Sequence, residues 1–176
     1  MRNDSELIEC LRKGDMQAFA ELYERHKLPI YRYCVKMLGE SAPAEDAVQE
    51  TFVKMYSHIE QLIESNRLLS WLFSIAHNEV LMHIRRDRRN GLESAEDVWE
   101  EFTPYDLAVQ TETREIVQHL LGRLKNKYRE VLILREYDRL SYTEIALITG
   151  DTESSVKSRL FKARKAMTTE LKRYYH

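Results

Sequence analysis

The chain has 176 residues, 43% apolar and 32% charged, enough to bury one medium core or two small ones and too charged for a membrane protein. No apolar run approaches the roughly 18 residues that span a bilayer, and Met1 to Glu6 lacks the apolar stretch of a signal peptide. A cytoplasmic protein without direct membrane insertion is expected. The net charge of −2 hides a polar distribution: residues 123–176 carry 13 basic and 7 acidic side chains, net +6, against 14 and 22 elsewhere, net −8. The carboxy-terminal part suits a polyanion, and the remainder as a whole repels one.

With five glycines and three prolines and little strand-like alternation, an all-α architecture follows. Met16, Phe19, Leu22 and Tyr23 recur at helical spacing, and Ile30, Tyr33, Cys34, Met37 and Leu38 continue the pattern beyond Pro29, which is expected to kink or interrupt the helix. Gly39 closes it. Ser41-Ala42-Pro43 starts another helix, with Ala47, Val48, Thr51, Phe52, Met55, Tyr56 and Ile59 as its apolar stripe. A further helix begins near Leu68, runs through Trp71, Leu72, Ile75, Ala76, Val80 and Ile84, and ends in Arg85-Arg86-Asp87-Arg88-Arg89 before the stop signal Asn90-Gly91. Cys10 and Cys34 fall among apolar helix positions and are expected to be buried and reduced.

From Glu93 to Glu115 there are eight acidic residues and one basic one, Arg114, with Pro104 in the middle and little periodicity: an acidic linker. Helical patterning resumes at Thr111 with Ile116, Val117, Leu120, Leu121 and Leu124. A second helix carries Val131, Leu132, Leu134 and Tyr137, and two shorter helices are expected to close the chain.

Three surfaces carry the functional signal. From Ser141 to Ala166 the pattern is that of a helix-turn-helix: Ala146 is small where helices cross, Gly150 suits a positive-φ turn, and Asp151 or Thr152 can cap the second helix. Val156, Leu160, Ala163 and Met167 face inward on that helix, which leaves Ser154, Ser155, Lys157, Ser158, Phe161, Lys162 and Lys165 for a major groove. A helical hairpin with a solvated basic face would share much of this pattern. Glu45, Asp46, Gln49 and Glu50 form an acidic and amide patch at i, i+3, i+4 spacing that can dock a basic helix, although such a face is commonly just solvated. Trp71 to Asn78 followed by the arginine run fits a surface that holds a nucleic-acid backbone and captures unstacked bases; a core aromatic pair beside a solvated helix end is the plainer alternative.

The order of Ala44-Glu45-Asp46-Ala47-Val48-Gln49-Glu50-Thr51-Phe52, Trp71-Leu72-Phe73-Ser74-Ile75-Ala76-His77-Asn78, Arg129-Glu130-Val131, Tyr142-Thr143-Glu144-Ile145-Ala146 and Val156 to Arg164 closely resembles the extracytoplasmic-function (ECF, group 4) sigma factors of the sigma-70 family. The resemblance implies two small helical domains, region 2-like over 1–90 and region 4-like over 111–176, joined by the acidic linker at 91–110. It places Asp46, Gln49, Glu50 and Phe52 on the helix that docks on the coiled coil of the polymerase β′ subunit. It puts Ile63, Ser65, Asn66, Ser70, Trp71 and Asn78, with Arg85, Arg86, Arg88 and Arg89, at the −10 element, where a flipped base is captured. Ser154, Ser155, Lys157, Ser158, Arg159, Phe161, Lys162 and Lys165 then lie at the −35 element. Implied partners are bacterial core RNA polymerase through β′ and β, promoter DNA and an anti-sigma factor, and the linker would occupy a basic channel of polymerase. Met82 departs from the aspartate common in the family, and Lys125 from a common proline.

Other classes predict differently. A stand-alone regulator with the same helix-turn-helix would bind DNA tightly without polymerase, and a helical adaptor would tolerate loss of Lys157 and Lys162. The six histidines show no metal-ligand spacing and no Gly-rich phosphate loop is present, so no enzyme, metal or cofactor is expected.

Overall fold

The structure, a computed structural model, describes residues 1–91 and 113–176; the acidic linker beyond Gly91 lies outside the described residues. Every regular element among them is helical, and they form two compact units.

The first unit begins with α1 (Asp4–Arg12), whose start is fixed by a capping box: the Asn3 side chain accepts from Glu6 N–H while the Glu6 carboxylate accepts from Asn3 N–H. Asp15 caps α2 (Met16–Leu38) by accepting from Gln17 N–H and Ala18 N–H, and those donors hold its carboxyl below the usual range. Of the two outcomes expected at Pro29, interruption does not occur: α2 runs through it. A proline inside a helix forfeits one backbone hydrogen bond, but Ile30, Tyr33 and Cys34 just beyond it are fully buried. Three such side chains, at about 1.5–3 kcal/mol each for the larger ones, outweigh the roughly 3 kcal/mol a proline costs. Gly39 ends the helix with φ 76°, a left-handed conformation open to glycine without strain.

α3 (Ser41–His58) packs against α2 through Ala44, Ala47, Val48, Phe52 and Met55. Two 3₁₀ turns, Ile59–Gln61 and Ser65–Arg67, lead into α4 (Leu68–Arg89). Phe73 on α4 meets Tyr33 edge-on, 5.7 Å between ring centres, and Lys54 on α3 reaches the buried carboxylate of Glu79. Cys34 is buried as expected, whereas Cys10 is half-exposed, because Leu7, Ile8 and Leu11 already form the inward stripe of α1.

From residue 113 onward the elements are α5 (Thr113–Gly122), α6 (Asn126–Leu132) continuing into a π turn at Ile133–Tyr137, α7 (Tyr142–Thr149) and α8 (Glu153–Tyr175). The closing helix has 23 residues and is not short. Beyond Ala163, Met167 is half-buried and the next buried side chain is Glu170, which pairs with Arg123, while Thr168 and Thr169 satisfy their hydroxyls on carbonyls one turn back and so do not compete with the backbone. α8 packs against α6 and α5. Lys125 offers α6 no side-chain cap, yet the helix forms, because Val131, Leu132, Ile133 and Leu134 are buried.

Candidate functional sites

The helix-turn-helix is built by its turn. Gly150 takes φ 73°, and the Thr152 hydroxyl accepts from Ser155 N–H at 3.1 Å, capping α8. Val156, Leu160 and Ala163 face inward, and Ser154, Lys157, Ser158, Phe161, Lys162 and Lys165 are exposed. Phe161 stands 69% exposed, far more than a core residue of that size tolerates. Ser155 is half-buried, and Arg159 donates to the Asp151 carboxylate. Two cations lie over the Tyr142 ring: the Arg135 guanidinium carbon 4.7 Å and Lys157 Nζ 5.7 Å from its centre. Arg164 engages Glu136, which raises its pKa, with a smaller contribution from the Tyr142 hydroxyl.

On α3, Asp46, Gln49 and Glu50 are exposed together. Phe52 is not on that surface: it is 2% exposed, its ring edge-on to Tyr23 at 4.8 Å. It lines a groove between α2 and α3, of about 780 Å³, with Phe19, Tyr23, Leu28 and Tyr31 on one wall and Val48, Gln49 and Val53 on the other. Half-exposed Leu28 and Val53 make the rim apolar, and Glu45 and Lys27 place one charge of each sign beside it. The α2 wall escaped the sequence reading. Its only signal was that Phe19, Tyr23, Leu28 and Tyr31 exceed the apolar residues one helix stripe needs.

Between α3 and α4, Ile63 is 93% exposed and Asn66 exposed, while Ser65 is half-buried with its hydroxyl 2.6 Å from that of Ser5. Ser70 donates to the Arg67 carbonyl, and Trp71 is half-buried. Asn78 is exposed on α4, and Arg85, Arg86, Arg88 and Arg89 occupy its exposed last turns. Among the described residues no cluster of His, Cys, Asp and Glu could hold a metal ion, and no helix is long and apolar enough to cross a membrane.

Comparison with known proteins decides what this layout is. Sigma-70 region 2 matches residues 22–90 and sigma-70 region 4 matches residues 114–167. The ECF RNA polymerase sigma factor SigW of Bacillus subtilis is 31% identical, over 94% of this chain and 95% of its own. The chain belongs to the ECF sigma factors of the sigma-70 family. The ECF RNA polymerase sigma-E factor of Escherichia coli is 30% identical over 96% of this sigma factor and 94% of the relative. Among solved structures, CnrH in complex with the cytosolic domain of CnrY has a TM-score of 0.70 at 23% identity, covering 96% of this chain and 97% of the other. RpoE in complex with the anti-sigma factor NepR from Bartonella quintana has 0.72 at 24%, covering 88% and 96%. At those identities the two structures support the sigma-factor fold.

Proposed function

We propose that the protein is an alternative sigma factor that binds core RNA polymerase and directs promoter-specific initiation, recognising the −35 element and recognising and melting the −10 element. The observation that carries this is the presence of both sigma-70 regions in order, in a chain that aligns with SigW along almost its full length. It acts in the cytoplasm, where polymerase is, and by contacts, without a reaction of its own.

The division of labour follows from the surfaces. Residues 1–90 form the domain that holds polymerase and the −10 strand, and 111–176 the domain that holds the −35 duplex. Asp46, Gln49 and Glu50 offer acceptors to a basic coiled coil, with Phe52 supporting them from beneath. Ile63, Asn66 and Asn78 offer one apolar and two amide contacts to an unstacked base, and the arginines at the end of α4 offer backbone neutralisation. Lys157, Ser158, Phe161 and Lys162 enter the major groove, where an aromatic edge meets thymine methyls and lysines meet guanine acceptors or phosphate. With net −8 outside residues 123–176, the free protein neutralises few phosphates, so DNA binding depends on polymerase fixing the basic surfaces in place. An anti-sigma partner is supported by RpoE, solved in complex with the anti-sigma factor NepR.

The test is run-off transcription with core polymerase alone, with the protein, and with a variant carrying Asp46→Ala and Glu50→Ala. Transcripts that require the protein and weaken in the variant are expected. Tight DNA binding by the free protein, with transcription indifferent to it, would point to a stand-alone regulator.

A further inference from the structure

The segment from Ile59 to Arg67, which carries Ile63 and Asn66, has little backbone structure of its own. Its two three-residue 3₁₀ turns contribute single bonds such as Leu62 N–H to Ile59 O and Arg67 N–H to Glu64 O, and Leu62 and Glu64 are extended between them. Such a segment keeps one conformation only if its remaining polar groups find partners on a neighbouring element. Here the neighbour is α1. The Arg12 guanidinium donates to the Leu62 carbonyl and lies 3.9 Å from the Glu60 carboxylate. Two helical turns earlier on α1, Ser5 shares its hydrogen bond with Ser65. The two ties therefore hold the segment on either side of Ile63, whose neighbour Leu62 is buried.

α1 is itself anchored. Leu7, Ile8 and Leu11 are buried, and Asp4 accepts from Arg25 at 2.6 Å and pairs with His26 at 2.8 Å, both on α2. The region 2 match begins at residue 22, so α1 lies ahead of the part of the chain that it covers.

We propose that α1 is a brace for −10 recognition, with Arg12 and Ser5 as positioning residues that hold Ile63 and Asn66 in the pose that receives the unstacked base. This rests on reading that segment as the base-capturing one. Without the brace the segment must be ordered when DNA binds, which weakens the contact with the base while leaving the groups that touch it unchanged.

The experiment uses the full chain assembled with core polymerase and two probes, a −35 duplex and a fork with a single-stranded −10 segment in cognate or base-substituted form. Arg12→Met keeps the stem and removes the donors; Arg12→Lys keeps one donor; Ser5→Ala removes only a hydroxyl and does not threaten the fold. Arg12→Met is expected to cut discrimination between the two forks about five- to tenfold, Ser5→Ala about twofold, with −35 binding unchanged and partial rescue by Arg12→Lys. If Ile63→Ala loses discrimination and the Arg12 and Ser5 variants do not, the brace is wrong and the base-capturing segment stands. If Ile63→Ala is also without effect on an active holoenzyme, that reading falls and the brace with it.

Discussion

Arg159 on α8 grips the carboxylate of Asp151 in the turn that precedes the helix, both nitrogens of its fork engaged, the longer contact at 3.2 Å. The side chains are 28% and 22% exposed, so the pair is partly shielded and ties the recognition helix to its own turn. Asp151→Asn and Arg159→Ala are each expected to lower unfolding stability by about 1 kcal/mol, and the double variant no further than the larger single effect. If this is the role of Arg159, its loss leaves the salt dependence of −35 binding unchanged. A slope reduced by about one unit would instead make it a phosphate contact.

The lysines on the outer face of α8 differ from Phe161 in what they can read. Lys157→Ala, Lys162→Ala and Lys165→Ala are each expected to reduce the slope of log affinity against log salt by up to about one unit, across all −35 sequences. Phe161→Ala is expected to leave the slope alone and to cost about 1–3 kcal/mol of discrimination at one base position. Holoenzyme binding to −35 duplexes between low and moderate salt separates the two patterns.

What the sequence made legible is local. Gly150, Thr152 and the inward row Val156, Leu160, Ala163 announce the helix-turn-helix because a turn and its cap are written within a few adjacent residues. Phe52 was harder. It belongs to the apolar stripe of α3 and also to the motif that resembles a docking helix, and only packing against Tyr23 shows that it supports that face from within. At Pro29 the local cost is visible in sequence, while the burial of Ile30, Tyr33 and Cys34 that lets the helix continue is tertiary. The ties from Arg12 to Leu62 and from Ser5 to Ser65 span 50 and 60 residues and involve a backbone carbonyl or common serines, so no periodicity or motif foretells them.

Arg129 is 3% exposed and donates to the carbonyls of Leu121, Gly122 and Leu124 at 2.8, 2.8 and 2.9 Å. It thereby adds donors to carbonyls at and just beyond the end of α5, that of Leu121 also accepting from Leu124 N–H. Arg129→Met is expected to destabilise by about 3 kcal/mol, since carbonyls lose their donors in a buried place. Arg129→Lys recovers little, because a single ammonium cannot reproduce the fork. Hydrogen exchange along α5 and α6 reads the loss where it occurs, and unchanged protection there would count against this cap.

The Cys34 thiol is pushed up to about 12, first by burial and then by the carboxylate of Glu79. A group whose folded pKa lies above its unfolded one gives stability that is complete below the unfolded value, near 9, and is lost as pH rises toward 12. Stability is therefore expected to decline above about pH 9, and Cys34→Val to flatten that part of the decline. At pH near 8, a thiol reagent should modify half-exposed Cys10 readily and Cys34 only as fast as the unit opens. Equal labelling rates for the two cysteines would contradict the burial.

Tyr142 offers the last test, because its ring faces both Arg135 and Lys157, and Lys157 is a group expected at the DNA. A cation held over an aromatic face at a partly exposed site gains about 0.5–1 kcal/mol. That preference narrows the arc Lys157 explores before DNA arrives. Tyr142→Leu is expected to weaken −35 binding by the holoenzyme about two- to fivefold while the salt slope stays the same, since Lys157 is still present and still charged. Tyr142→Phe retains the ring and should bind as the wild type does. If Tyr142→Phe were as weak as Tyr142→Leu, the hydroxyl would be the part that matters, and the ring would not be what aims Lys157.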